Sequence, residues 1–330
     1  MLVSQIKKYS SVSIVGMAKN TGKTTCLNYI LSKLNEEKYK VAVTSIGVDG
    51  EEKDVLYGTP KPRITIHSGN IFITSEKHFN EKKLDAKIIY TSNQNTPLGR
   101  LITAEALSTG QIILSGPSTS ELLAEYIDKL KELNVALTLV DGALHRMSLA
   151  SPSVTDALVL CTGAAYSTNL NQLIKNVKYK CELINIKKAN NITLNDNIMR
   201  GVWLIDENGI KKLSDSLFTS DIKFEDNGYK NKYIYIAGAL TDNFLKELNK
   251  ARKLDGLSII VRDFSRIFVA SQNYYKFVRK GGRIIVKESA NLIAICSNPT
   301  SPDGYNYEPE ELRYAIETEL NLPVYDIMKS

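Results

Sequence analysis

Ten consecutive residues, Gly16-Met17-Ala18-Lys19-Asn20-Thr21-Gly22-Lys23-Thr24-Thr25, limit what this chain can fold into more than any other stretch. The mainly apolar run Val12 to Val15 stands before them. Thr24 to Glu36 follows, with Leu27, Ile30, Leu31 and Leu34 at helical spacing. A strand, a glycine loop and a helix are therefore expected in direct succession. A loop in that context gathers main-chain N–H groups at a helix N-terminus, where unpaired amides and the macrodipole favour negative charge. With a lysine at 23 and a hydroxyl at 24, the expected ligand is the phosphate chain of ATP or GTP together with Mg2+. Gly16, Lys19, Asn20, Thr21, Gly22, Lys23, Thr24 and Thr25 form the expected cradle. Lys23 is expected on the β- and γ-phosphates and Thr24 on the metal.

The rest of the chain reads as an alternation of strands and helices. Lys40 to Ile46 is the second expected strand. Short β-like runs follow at Arg63 to Ile66, Asn70 to Thr74, Lys87 to Thr91 and Gln111 to Leu114, a β-rich insertion over about 60–115 before the parallel core resumes. Ser118 to Asn134 opens with Ser-Thr-Ser ahead of a helical pattern, which predicts a capped amphipathic helix. Ala136 to Val140 is a continuous apolar strand of the kind buried on both faces of a parallel sheet, and Ala157 to Cys161 is another. A helix around Leu170 to Val177 comes next. These segments predict an α/β fold, a P-loop NTPase with a mainly parallel sheet, over residues 1–189. Residues 190–232, richer in Asn, Asp and Lys, read as a linker or small subdomain. A C-terminal α/β part is expected over 233–330, with strands at Tyr233 to Ala237, Leu257 to Val261, Arg283 to Val286 and Leu292 to Cys296. Its helices are expected at Asp242 to Lys253, around Tyr274 to Arg279 and at Glu308 to Leu320.

In an open parallel sheet, ligands lie outside the carboxyl ends of the strands, so acidic residues just after those strands are the natural partners of a phosphate-bound metal. Asp49 follows the second strand, and Asp141 ends the third in Val140-Asp141-Gly142-Ala143. With Thr24 they make the expected Mg2+ set, and with Lys23 the expected catalytic set. Each also has a plainer reading, Asp49 as a turn residue before glycine and Asp141 as a strand-end cap. Asn298, in Asn298-Pro299-Thr-Ser-Pro-Asp-Gly after the last expected strand, is a candidate contact to the nucleotide base or the opening of a turn.

Other chemistries find less support. Cys26, Cys161, Cys181 and Cys296 are far apart in sequence and make no Cys-x-x-Cys pair, so neither a disulfide framework nor a zinc site is expected. Three histidines, at 67, 78 and 145, are too scattered for a metal cluster. A net charge of +6 with dispersed lysines argues for a solvated surface, and nucleic acid is not an expected partner. No apolar run reaches the ~18 to 20 residues of a membrane span, and the N-terminus lacks the pattern of a secretory signal. A cytoplasmic protein without a membrane partner is expected.

The loop, with five residues between Gly16 and Gly22, resembles that of dethiobiotin synthetase and its relatives in the MinD-like class of P-loop proteins. Lys19 stands four residues before Lys23, whereas the signature lysine of MinD-type loops stands five before, so that role is not carried over to it. Val140-Asp141-Gly142-Ala143 is similar to the Val-Glu-Gly-Ala strand end of dethiobiotin synthetase and cobyrinate amidases. That resemblance implies, as one alternative, an ATP-dependent ligase acting on a small carboxylate or amine. A wider set of segments resembles the smaller, P-loop subunit of lysine 5,6-aminomutase reactivase. They are residues 16–25, Ser45 to Glu51, Thr59 to Arg63, Asn95 to Gly99, Gly116 to Thr119, Val140 to Arg146, Ser151 to Asp156 and Asn298 to Tyr305. The resemblance implies an ATP-dependent accessory protein. Its partners would be a larger, MutS-like ATPase subunit and an adenosylcobalamin-dependent aminomutase whose cofactor has been inactivated. Asp49 to Asp54 would then be the nucleotide-sensitive switch. The chain lacks the Asp-x-His-x-x-Gly cobalamin pattern, so the mutase would hold the cofactor. A non-hydrolysing nucleotide sensor is a further alternative, since no general base beyond the two aspartates is evident.

Overall fold

The computed structural model describes residues 2–47, 63–142, 151–152, 154–190, 200–215 and 232–326. A short helix α1 (Leu2–Ile6) leads into β1 (Ser11–Gly16), α2 (Lys23–Glu36) and β2 (Val41–Ser45). Then come β3 (Ile64–Ile66), β4 (Ile71–Ser75), α3 (Glu76–Asn80), β5 (Ala86–Thr96), β6 (Gly99–Ala106) and β7 (Gly110–Ile112). They are followed by α4 (Ser120–Glu132), β8 (Leu137–Asp141), β9 (Ala157–Gly163) and α5 (Leu170–Ile184). The next strands are β10 (Val202–Asp206), β11 (Gly209–Ser214), β12 (Tyr233–Ile236) and β13 (Leu240–Thr241), then α6 (Asp242–Leu248), β14 (Ser258–Val261) and β15 (Ile267–Phe268). The chain finishes with α7 (Ser271–Arg279), β16 (Arg283–Val286), β17 (Leu292–Asn298), α8 (Pro309–Leu320) and β18 (Val324–Asp326).

Two compact units result, residues 1–178 with 291–330, and residues 179–290. The first is built on a nine-stranded sheet in the order β18-β17-β9-β1-β8-β2-β4-β6-β5. From β18 to β4 every pairing is parallel, and β6 and β5 close that edge as antiparallel strands. The protein is thus α/β with a large, mainly parallel mixed sheet, as the alternation of apolar strands and amphipathic helices predicts. Every residue of β1 and β9 is buried, which is why these strands read as unbroken apolar runs and not as alternating ones. Leu27, Ile30, Leu31 and Leu34 of α2 are fully buried against this sheet in one continuous core with Val12, Ile14, Val43 and Leu139. Thr119 caps α4 by accepting from the Leu122 amide, so the Ser-Thr-Ser signal marks the helix start.

The β-rich stretch between β2 and α4 does not stand apart from the core. β4 pairs parallel with β2, and β5 and β6 extend the same sheet, while β3 pairs with β7 in a separate ribbon. Asn28 of α2 stitches that ribbon to the helix, accepting from the Thr65 amide at 2.9 Å. An aspartate link ties β1 and β9 at their amino ends. One Asp156 oxygen, Oδ2, accepts from the amides and hydroxyls of both Ser10 and Ser11 at 2.7–3.1 Å.

The second unit carries a five-stranded sheet in the order β11-β10-β12-β14-β16, with β12, β14 and β16 parallel. Its core gathers Phe244, Leu245 and Leu248 of α6 and Phe277 of α7 around Ile234, Ile259 and Val261. The sheets divide the C-terminal half differently from the boundaries drawn on composition at 190–232 and 233–330. β10 and β11, inside the stretch read as a linker, are strands of the second sheet, whereas β17 and β18 return to the first. Long-range pairing causes this, antiparallel from β10 to β12 and parallel for β17 and β18, and local periodicity carries no record of which sheet a strand joins. Among the described residues no helix is long and apolar enough to cross a membrane.

Candidate functional site

Because the strands from β18 to β4 run parallel, the segments leaving them emerge on one edge, at Gly16, Ser45, Asp141, Gly163 and Asn298. β1 lies at the centre. From it the chain passes to β2 on one side, while β9, β17 and β18 lie on the other, so the β1 to α2 loop opens at a reversal of strand order.

That loop is held tightly at its base. Met17 donates its amide to the Cys161 carbonyl at 2.9 Å, and the Cys26 amide, in the first turn of α2, bonds the Gly22 carbonyl at 2.8 Å. Between those anchors Asn20 and Gly22 both take left-handed backbone, at φ of 60° and 87°. Asparagine is one of the few side chains that tolerates this region, and glycine enters it without steric cost. Thr21, buried inside the loop, donates its hydroxyl to the Ala18 carbonyl at 2.9 Å. Gly16 is required for closeness. A Cβ on it would lie 2.5 Å from Thr21 Oγ1 and 2.8 Å from Lys23 Cγ. Gly22 precedes α2 without any side-chain cap, and the amides of Lys23, Thr24 and Thr25 that open the helix have no intrahelical acceptor. Lys19, Asn20 and Thr25 are exposed, and Gly22, Lys23 and Thr24 are half-buried. A tight glycine turn ahead of an uncapped helix N-terminus, with Lys23 and Thr24 as the first helical residues, is suited to an anion.

The strand-end candidates fall in different places. Asp141 closes β8, directly between β1 and β2, in register with Ile14 and Ser45. Ser45 donates its hydroxyl to the Asp141 carbonyl at 3.3 Å, and the Gly142 amide bonds the Ile14 carbonyl, so the Asp-Gly pair sits beside the exit of β1. Gly116 lies hard against Ser45, with its amide on the Gly47 carbonyl. Asp49, with the whole Asp49 to Asp54 stretch, lies outside the described residues, as do His145 and Arg146.

Asn298 holds the loop. Its side-chain Nδ2 donates to the Asn20 carbonyl at 3.1 Å, and its Oδ1 accepts from the amide and hydroxyl of Thr300. Both ends of the amide are engaged, and the segment beyond it folds back on itself through the Ser301 amide to the Tyr305 carbonyl. The side chain thus fixes the left-handed residue of the loop from a strand two places away in the sheet. No spacing rule connects positions 20 and 298, so sequence reasoning had no signal for this contact.

A second feature invisible in the sequence lies beneath the loop. Cys161 of β9 and Cys296 of β17 are direct register partners, and Cys26 of α2 packs onto them. All three are fully buried, with sulfurs within 4.8 Å of one another, and Cys26 and Cys296 are 3.3 Å apart. The Cys26 and Cys296 thiols donate to Cys161 and the Lys23 ammonium attracts it, so its thiol ionises well below the ordinary range. The hydrogen bond with Cys161, reinforced by burial, holds the Cys26 and Cys296 thiols well above it.

Comparisons with models of protein families, with curated proteins and with solved structures find no match for this chain.

Proposed function

We propose that this chain binds a nucleoside triphosphate with Mg2+ on the 16–25 loop, and that it serves as the ATP-dependent accessory subunit of a complex that reactivates an adenosylcobalamin-dependent lysine aminomutase. One observation carries the nucleotide reading. The loop leaves the central parallel strand at the reversal of strand order, with two left-handed residues, an uncapped helix start and no room for a side chain at Gly16. Phosphates would supply acceptors for the amides of Lys23, Thr24 and Thr25, and their charge would pair with the Lys23 ammonium. In this reading Lys23 lies against the β- and γ-phosphates, the Thr24 hydroxyl holds Mg2+, and Asp141 orients the metal's waters. Mg2+ supplies charge neutralisation for phosphoryl transfer. The accessory role rests on the resemblance of segments spread along the chain. Its physical content is a nucleotide-dependent switch, with Asp49 to Asp54 as the candidate segment and a larger ATPase subunit as the receiver.

A second reading, a ligase that activates a small carboxylate as an acyl or carbamoyl phosphate, is favoured by one particular. The Asp141-Gly142 strand end stands beside the exit of β1, where a substrate would face a γ-phosphate. Product analysis with labelled ATP and candidate carboxylates separates the two, since only a ligase forms a phosphorylated small molecule.

Nucleotide affinity with and without Mg2+, hydrolysis and thermal stability test the common core of both readings. Lys23→Ala should lose triphosphate affinity and turnover. Asp141→Asn should keep affinity while Mg2+-dependent hydrolysis falls on the order of 10²-fold, the loss expected for one electrostatic contact of ~3 kcal/mol. Wild-type hydrolysis in Asp141→Asn removes Asp141 from the metal site. The accessory reading fails if the chain and its larger partner, given ATP, Mg2+ and fresh cofactor, leave an inactivated mutase inactive.

A further inference from the structure

Four cysteines are present, and three of them meet. Cys26 comes from the first turn of a helix, Cys161 and Cys296 from adjacent parallel strands in direct register, so three elements converge on one point of the core. Buried cysteines commonly behave as small apolar side chains, and singly placed ones need no further account. Three sulfurs in mutual contact differ, because each is a soft ligand and no apolar packing rule brings them together.

We infer that Cys26, Cys161 and Cys296 form a binding site for a single thiophilic d10 metal ion, Zn2+ or Cu+, at the base of the 16–25 loop. The spacing fits one ion. A metal–sulfur bond of about 2.3 Å at tetrahedral angles sets sulfurs about 3.8 Å apart. The cluster brackets that value, with one pair at 3.3 Å and all pairs within 4.8 Å. Thiolate sulfur selects these ions over the hard cations that accompany nucleotides. The ion would replace the S–H protons, which leave to solvent as it binds. The Lys23 ammonium, which attracts Cys161, offsets part of the thiolate charge that remains. All three sulfurs are buried, which sets the site apart from exposed redox cysteines.

The position gives the ion a structural consequence. The Cys161 carbonyl anchors the Met17 amide at one end of the loop, and the Cys26 amide anchors the Gly22 carbonyl at the other. One ion bound to both residues would brace the two ends of the loop. The site does not depend on the nucleotide reading, and its test uses no nucleotide.

The experiment takes the full chain, reduced and stripped with a chelator, and titrates it separately with Zn2+, with Cd2+ as a spectroscopic stand-in for it, and with Cu+ against a chromophoric Cu+ competitor. Cys181→Ala serves as control, since Cys181 belongs to the other unit. One Cd2+ per chain should bind with thiolate-to-metal charge-transfer absorption, and the same site should take Zn2+, Cu+ or both, the titration showing which. Binding should survive in Cys181→Ala and fall at least tenfold in affinity in Cys161→Ser and Cys296→Ala. Metal should raise the thermal midpoint only where it binds. The inference is overturned if the wild-type chain shows no charge-transfer band and no saturable uptake, or if Cys161→Ser and Cys296→Ala bind as the wild type does. Either variant that retains a native circular-dichroism spectrum suffices for the comparison. If neither does, the wild type is alkylated with and without bound metal: metal should protect Cys26, Cys161 and Cys296 from labelling, and uptake abolished when Cys181 alone is labelled overturns the site.

Discussion

Gly16→Ala tests the loop more sharply than removal of a charge, because it adds one methyl group and changes nothing else. The new carbon would stand 2.5 Å from Thr21 Oγ1, against an ordinary contact that begins at 3.4 Å, so the hydroxyl has to retreat by about 0.9 Å. Thr21 is fully buried, and its hydroxyl already bonds the Ala18 carbonyl inside the loop, so retreat breaks that bond. The broken bond costs about 1 kcal/mol and forced repacking about 1–3 kcal/mol, which together predict destabilisation on the order of 2–4 kcal/mol. The Lys23 chain, whose Cγ would be 2.8 Å from the methyl, is displaced as well. If the displaced loop loses one charge-assisted hydrogen bond to phosphate, triphosphate affinity falls on the order of 10- to 100-fold. Calorimetric titration with Mg-ATP and thermal denaturation measure the two effects. Combining the change with Thr21→Ala removes the shorter clash and leaves only a flexible lysine chain to move, so the double variant should recover part of the lost stability. Wild-type affinity and an unchanged melting temperature in Gly16→Ala alone would refute the reasoning, since neither is compatible with a loop closed this tightly.

Asn298→Asp keeps an acceptor for Thr300 but removes the donor to the Asn20 carbonyl and leaves a buried carboxylate oxygen facing it, so it should loosen the loop, weaken triphosphate binding several-fold and lower the melting temperature. An equal effect on ADP and ATP, read by calorimetric titration, is expected because the contact is to the loop and not to the γ-phosphate. For Asp156, burial opposes ionisation, but the four donors of Ser10 and Ser11 outweigh it and hold the carboxyl below its usual range. A depressed folded pKa contributes stability that is present above the unfolded value of about 3.9 and is lost as pH falls through the folded one. Asp156→Asn should therefore lower stability near neutral pH and flatten the acid limb of the denaturation profile below about pH 4, and an unchanged acid limb would exclude this link.

The strand, loop and helix at 12–36 were legible in the sequence because their signals are local. An apolar run, two glycines and a 3.6-residue period are written in consecutive residues, and they return as β1, the tight loop and α2 within a residue or two. The capped start of α4 and the buried strands β8 and β9 were legible for the same reason, as was Asp141 at its strand end. β6 was not, although Leu101, Ile102 and Ala104 are buried, because its neighbours Arg100 and Glu105 interrupt the apolar pattern. The short strands β13, β15 and β18 have too few residues to display a period at all.

What the sequence determined by itself, then, is a set of elements and one tight glycine loop between a strand and a helix, each specified by backbone propensity and the spacing of neighbouring side chains. Only the tertiary structure decided which of two sheets each late strand joins, that Asn298 steadies Asn20, and that Cys26, Cys161 and Cys296 share one point in the core. Those relations depend on strands whose partners lie far apart in the chain and are selected by the burial of whole faces. A residue 278 positions away leaves no mark on local periodicity, and becomes a neighbour only when the sheet brings both strand ends to the same edge.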